Sequence, residues 1–335
     1  MTLNSSLFTA GRVLREPVGP GPGYWAGAPG VFHSVAEGAW YLTYRLRRPR
    51  GVAPDRGGEA RIARSTDLDH WDDVWSVTKD RFGSASIERC ALRQGTDGQW
   101  RYYASYVDPA DGRWCVALLK AGSVSELDAR RAQPLFKAQP LGLEGIKDPW
   151  LFELQGRFYM LVSVALPVPA TNPHSHATLD IFNTGQCVSA TGLATSSDLD
   201  HWQWAGVVFA PAATGWDRYC RRLNSVVPYA DAFLGFYDGS ASHAENYEEK
   251  TGWARSPDLR QWTSLTLPGP GLTSPHASGS LRYLDAQVAG DRLLCFFEWA
   301  RPDGAHELRL TQTGLDTLGS APDLPTPASA PPRNA

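Results

Sequence analysis

The stretch Ser65-Thr-Asp-Leu-Asp-His-Trp71 decides the fold, because it returns as SSDLDHW over residues 196–202 and as SPDLRQW over residues 256–262. A worn copy, SVSEL, runs from Ser123 to Leu127. Taken at the acidic residue, the copies fall at Asp67, Glu126, Asp198 and Asp258, which are 59, 72 and 60 residues apart. Self-similarity at a steady spacing marks a repeat architecture in which one supersecondary unit recurs. The element itself reads as a turn: the Asp side chain caps it, and the Trp fills space between neighbouring units.

Outward from these turns the text alternates or runs apolar for five to eight residues, as in AWYLTYRL, WRYYASYV, RFYMLVSVA, AFLGFYDG and RLLCFFEWA. Each such segment follows another apolar run across a short Gly- or Asp-containing turn: GAPGVFHSV, ERCALRQ, KDPWLFEL, NSVVPYA and LRYLDAQV. Paired runs of this length with turn residues between them are antiparallel strands. The fold class read from this pattern is all-β, a five-bladed β-propeller, in which each blade satisfies its ladders around a shared axis. Two β-sandwiches would also be rich in short strands, but the even spacing disfavours them. Residues 1–319 are expected to form the propeller and residues 320–335, which are rich in Pro and Ala, a tail without packed structure. An insert between Leu166 and Gln186 and a long loop from Ser242 to Gly252 interrupt the regular spacing. Long loops on a regular scaffold often carry function.

Composition narrows the partners. With 42% hydrophobic and 20% charged residues the chain has ample apolar surface to bury. A formal net charge of -3 and the lack of any Lys/Arg run give no electrostatic reason for a nucleic-acid or anionic-membrane partner. No stretch has the roughly 18 apolar residues needed to span a bilayer, and the start MTLNSSLFTAGRV lacks secretory features, so a cytoplasmic location is the default expectation. The sequence does not indicate an oligomeric state. Cys90, Cys115, Cys187, Cys220 and Cys295 are odd in number and lack metal-ligand spacing, which reads as buried reduced thiols. No cofactor is expected.

Aligning the first strands on their following turns puts Ala28, Glu88, Asp148, Asn224 and Arg282 near equivalent starting positions. The antiparallel second strands return Tyr44, Arg45, Tyr106, Ser163, Asp238 and Glu298 to the same mouth. Carboxyl groups gathered at one mouth suit acid/base chemistry, one donating a proton while another accepts one or attacks. Glu88 and Asp148 are the leading pair, with Asp238 and Glu298 in reserve as base. Pro149 is expected to hold Asp148 extended and aimed at the axis. Arg45, Lys147, Asn224 and Arg282 are candidates for substrate binding, through forked or single hydrogen bonds. Trp25 is the best candidate for a flat face under a ring-shaped ligand, and His243 opens a loop able to touch substrate. Each of these residues has an ordinary structural reading too, as an ion pair, a turn cap or packing. His174, His176 and His276 lack any HExxH or calcium-loop context.

The segment GIKDPWLFELQGRFYMLVSV resembles the third blade of glycoside hydrolase families 43 and 130. APGVF, WYLTYR and EARIARSTDLDHW are similar to the opening of family 130, which includes β-mannoside phosphorylases and hydrolases. The resemblance runs from about residue 25 to 310 and implies a propeller enzyme acting on a small carbohydrate or glycoside. This chain departs from the families at several points. The first blade carries Gly27 and Ala28 where family 43 has its base Asp. SIERCALR has Glu88 and Arg89 without the Asp-Pro of the family 130 motif. LVSVA lacks the following His-Arg of the phosphorylases, so phosphate use is unsupported. A ring-centre metal near His276 is implied by the family 43 resemblance alone. The expected function is a glycoside hydrolase or related glycosyl-transforming enzyme. A non-catalytic carbohydrate-binding propeller and a glycoside phosphorylase are the alternatives.

Overall fold

The computed structural model describes Leu3 and residues 5–318; the expected tail, residues 320–335, lies outside the described residues. A short helix, α1 (Ser5–Thr9), leads into β1 (Arg12–Arg15). The first group of four strands is β2 (Trp25–Ser34), β3 (Ala39–Arg48), β4 (Arg56–Ser65) and β5 (Asp72–Thr78). The second is β6 (Ala91–Gln94), β7 (Trp100–Val107), β8 (Trp114–Ala121) and β9 (Gln133–Phe136). The third is β10 (Gly145–Leu154), β11 (Arg157–Pro167), β12 (Cys187–Ser196) and β13 (Gln203–Phe209). The fourth is β14 (Cys220–Tyr229), β15 (Ala232–Ser240), β16 (Lys250–Ser256) and β17 (Thr263–Ser264). The last run has three strands, β18 (Leu281–Ala289), β19 (Arg292–Ala300) and β20 (His306–Gly314).

Its fourth strand comes from the other end of the chain. β1 pairs antiparallel with β20, Arg12 opposite Leu310 and Val13 opposite Arg309, and so covers an edge that would otherwise be bare. The first strands close a ring: β2 packs on β6, β6 on β10, β14 on β18 and β18 back on β2, while the third group reaches β14 through β11 and β12. Single parallel bridges, Trp25 to His306 and Ser189 to Cys220, join neighbouring groups, so ladder connectivity runs through sheets of eight, four and eight strands.

The core follows from this arrangement. Each strand buries alternate side chains on both faces of its group, so the apolar residues collect in slabs between consecutive groups. Ile62 and Tyr102 lie in the slab between the first and second groups, and Tyr103 and Met160 between the second and third. Leu193 and Tyr237 join the third to the fourth, Phe236 and Phe297 the fourth to the fifth, and Leu42 and Phe296 the fifth to the first. Burying each such side chain is worth about 1.5–3 kcal/mol. The five cysteines are buried free thiols.

The repeated turns are capped as expected. Asp198 Oδ1 accepts from the backbone N–H of Asp200 and His201 at 2.9 and 2.8 Å, Leu199 N–H donates to Ser196 Oγ at 2.9 Å, and Trp202 Nε1 donates back to the Leu199 carbonyl at 3.1 Å. The same bonds recur around Asp67, and the Asp and Trp bonds around Asp258. Trp71 meets Phe296, and Trp202 meets Tyr103, edge to face across slabs.

Candidate active site

The first strands start with bulges. Register slips between Gly27 and Gly30, Lys147 and Trp150, Leu223 and Ser225, and Arg282 and Asp285. A bulge bends its strand and re-aims a side chain. Ala28, Asp148 and Tyr283 sit in three of these bulges with φ of 53°, 57° and 53°, a left-handed conformation that side chains other than Gly rarely adopt. Asp148 is therefore not extended, contrary to the expectation from Pro149. Its N–H donates to Ser105 Oγ at 3.2 Å and its Oδ1 accepts from Arg89 N–H at 3.3 Å, which hold it in the bulge.

Arg89 ties the ring at its centre. Its Nε donates to the Pro29 carbonyl at 2.6 Å, Nη1 to the Asn224 carbonyl at 2.7 Å and Nη2 to Asp285 Oδ2 at 3.1 Å. With its backbone bond to Asp148, this residue of the second group touches the starts of all the other four. Asp285 also accepts from Val31 N–H at 2.8 Å and Trp150 Nε1 at 3.0 Å.

Above this plug the carboxylates gather. Arg45 Nε donates to Glu88 Oε2 at 2.6 Å, with Arg47 3.9 Å from the other oxygen. The Tyr283 hydroxyl lies 3.4 Å from Glu88 Oε2 and 3.4 Å from Asp148 Oδ2, and the Tyr283 N–H donates to Asp238 Oδ1 at 3.0 Å. Three carboxylates from three groups thus converge on one tyrosine. Burial alone would raise Glu88, but Arg45, Lys147 and Arg47 outweigh it and bring its carboxyl down to about 2. Asp238 goes the other way: burial, with Glu249 nearby, pushes it up to about 8 against the pull of Arg282 and Arg222. Burial also raises the Tyr283 hydroxyl, helped by Asp148 and Glu88.

Glu298 is occupied elsewhere. It accepts from Arg282 Nε and Nη2 at 2.8 and 2.7 Å, pairs with His306 Nδ1 at 2.8 Å, and takes the Ala28 N–H at 3.0 Å. Against burial, Arg282, Arg45 and His306 hold it well below the usual carboxylate range. A Cβ on Gly27 would collide with this carboxylate. Glu298 therefore fills the space beside Gly27 and leaves no room for a side chain there.

The remaining sequence candidates divide. Arg45 and Lys147 face the cluster; the Lys147 ammonium lies 3.5 Å from Asp148 and 5.0 Å from the Trp114 ring centre. Arg282 is inside it too, but one residue before the bulge position, which Tyr283 occupies. In the fourth group Arg222, paired across the strands with Asp238, is the side chain aimed inward, and Asn224 contributes its carbonyl to Arg89. Trp25 offers no open face. It is buried, stacked on His306 at 4.8 Å, with the guanidinium carbons of Arg47 and Arg282 4.7 and 4.9 Å from its ring centre. His243 stands outside the cluster, beside Gly185 and 6.3 Å from the Tyr219 ring.

Sequence reasoning missed Tyr283, Arg222, Glu249, His306 and Arg47. One signal was available: matching Asp285 to Trp150, rather than counting back from the turns, aligns Tyr283 with Asp148. Arg47 was legible only as two residues beyond Arg45, hence on the same face of β3.

Two long loops cover the mouth. The turn Ile181–Asn183 and the turn His243–Glu245 pack together, and Tyr247 hydrogen-bonds Asp180 through its hydroxyl. The Tyr247 ring lies over the Arg47 guanidinium at 4.6 Å, and its own backbone has φ of 79°. His176, in contrast, pairs with Glu144 at 2.8 Å and His174 is exposed. His276 lies in the turn before β18, and among the described residues no group of three or more His, Cys, Asp or Glu side chains is placed to hold a metal ion. With the Arg89 guanidinium already spanning the ring, the residues do not fit a central metal.

The chain matches no protein-family profile and no curated protein sequence. Solved structures do match it. A thermostable family-43 glycoside hydrolase superposes with a TM-score of 0.60 at 14% identity, over 90% of this chain and 91% of that one. The chain shares the fold of that enzyme. A β-1,2-mannobiose phosphorylase from Listeria innocua, solved with β-1,2-mannobiose, gives 0.59 at 14% identity over 90% and 93%. A GH43_1 enzyme from Xanthomonas citri gives 0.58 at 12% over 92% of each. The likeness is spread over families 43 and 130 and does not choose between them.

Proposed function

We propose that the five four-stranded groups are the blades of one five-bladed propeller spanning residues 1–319, and that its axial mouth cleaves a small glycoside by carboxylate acid/base catalysis. The observation that carries this reading is the convergence of Glu88, Asp148 and Asp238 on Tyr283. Environments that drive neighbouring carboxyls apart separate acid from base. Asp238, held protonated to about pH 8, is the general acid. Asp148 is the carboxylate that activates water or attacks the sugar, because among the described residues its Oδ2 meets only the Tyr283 hydroxyl and the Lys147 ammonium. Glu88 stays ionised beside Arg45 and positions that arginine. Glu298, saturated by Arg282, His306 and Ala28, acts as a structural anion rather than a base. The substrate class is a small carbohydrate, by analogy with the named fold relatives.

The test is turnover of a panel of aryl and methyl glycosides by the wild type, Asp148→Asn and Asp238→Asn. Both variants should lose at least about a hundredfold in kcat with folding intact. Full activity in Asp148→Asn on a substrate that the wild type cleaves would sink the assignment. One observation favours binding without cleavage: the first-group bulge position that matches Asp148 is Ala28, which has no carboxylate. Saturable binding of a sugar with no product, with or without phosphate, would favour that second reading.

A further inference from the structure

The buried cations at the mouth outnumber the anions by one. Lys147 is matched by Asp148, Arg222 by Glu249 at 3.0 Å, and His306 by Glu248 at 3.0 Å. Arg45, Arg47 and Arg282 are left with Glu88 and Glu298, because Asp238 is neutral below about pH 8 and Glu249 already serves Arg222. The surplus is localised. Nη1 and Nη2 of Arg45 and Nε and Nη1 of Arg47 have no hydrogen-bond acceptor among the described residues, although the two arginines are 1% and 5% exposed. Buried donors of this kind are ordinarily satisfied, and guanidinium forks are satisfied best by an oxyanion bound through two oxygens. Burial, against the partial help of Glu88, lowers Arg47 to about 10, the mark of a cation short of a counter-charge.

Arg45 and Arg47 are two apart on β3 and point the same way, and Trp25, Tyr247 and Tyr283 provide aromatic surface around them. Tyr247 lies over Arg47 from the loop whose Glu248 side chain is 28% exposed, so this loop is the way in.

We propose that Arg45 and Arg47 form an oxyanion seat, and that the glycoside taken at this mouth carries an acidic group, a uronic-acid carboxylate. The inference rests on the glycoside reading above for the sugar, and on the unmatched arginines for the charge. A carboxylate supplies the one missing negative charge, whereas free phosphate brings nearly two. Tyr247 yields its place over Arg47 as the ligand enters and leaves a left-handed backbone conformation that a tyrosine rarely adopts.

The full chain is titrated, at constant ionic strength, with sodium glucuronate, sodium galacturonate, glucose, galactose and inorganic phosphate, reading thermal stability and calorimetric binding. At least one uronate should bind tenfold or more tightly than its neutral counterpart and raise Tm by about 3 °C or more near saturation. Arg47→Met should abolish this preference, and without ligand should melt no lower than the wild type, because it removes an unmatched buried charge while keeping the stem packed. A merely structural Arg47 would give a lower Tm instead. Arg47→Lys should recover less than half of the preference, since an ammonium lacks the fork. Equal response to acidic and neutral sugars, a response to phosphate alone, or none at all overturns the proposal. Turnover of neutral glycosides with no uronate preference would remove the seat and keep the enzyme; uronate binding without turnover of any glycoside would do the reverse.

Discussion

Arg89 has a side chain with no exposed surface and bonds to the starts of four other strand groups, so its loss is felt around the whole ring. Arg89→Met leaves Asp285 buried without its cation, and removing one partner of a buried pair costs about 3–5 kcal/mol. Chemical denaturation should show that loss, and Arg89→Met with Asp285→Asn should recover part of it; an unchanged midpoint for Arg89→Met would remove the central staple from the account. Asp238 gives a pH signature. Its folded value, about 8, lies above that of the unfolded chain, so its contribution to stability is complete below the ordinary Asp range and is lost as pH rises through about 8. With Asp238 as the proposed general acid, kcat/KM should fall as pH rises through about 8, while Glu88 stays ionised down to about 2. In Asp238→Asn the fall in stability between the ordinary Asp range and about pH 8 that belongs to this group should vanish. An unaltered pH–stability profile in that variant would contradict the raised carboxyl.

Strands and turns were legible because their signals are local. Alternation within RFYMLVSVA and the turn at Gln155-Gly156 define a hairpin without reference to the rest of the chain, and β10 and β11 pair as read. The repeated turn was legible for the same reason, its Asp, Leu and Trp interacting within seven residues. Asp198→Ala removes two side-chain-to-backbone bonds at one such turn and should cost about 1–2 kcal/mol, read from the shift in denaturation midpoint. The same change at Asp69, whose side chain makes no bond to the turn backbone, should be nearly neutral; equal losses at both positions would argue against the cap. Bulges were not legible. One extra residue at a strand start moves the inward position from Arg282 to Tyr283, and no local pattern marks which residue takes the left-handed conformation.

At the scale of the whole molecule, closure depends on the N-terminal strand. β1 is hydrogen-bonded to β20 and pinned to the first group by Arg15, which pairs with Asp73 at 3.0 Å and donates to the Tyr44 hydroxyl at 3.1 Å. Deleting residues 1–15 should lower Tm and bring concentration-dependent association, because β20 then presents an open edge. A truncated chain that melts and sediments like the full one would show that β1 is dispensable. The sequence by itself determined the all-β class, the repeat spacing, the strand pairs, the turn chemistry and the presence of Glu88 and Asp148 at matching strand starts. All of these follow from side-chain period, turn residues and spacing, which act over a few residues or recur along the chain. Only the tertiary structure decided that β1 completes the last group, that Arg89 spans the ring, and that Trp25 lies beneath arginines instead of a sugar. It also decided that Glu298 fills the space beside Gly27 and that burial raises the Asp238 carboxyl. Each of these depends on partners brought together from separate strand groups, and in a buried site the charge and hydrogen bonding of such partners set what a residue does.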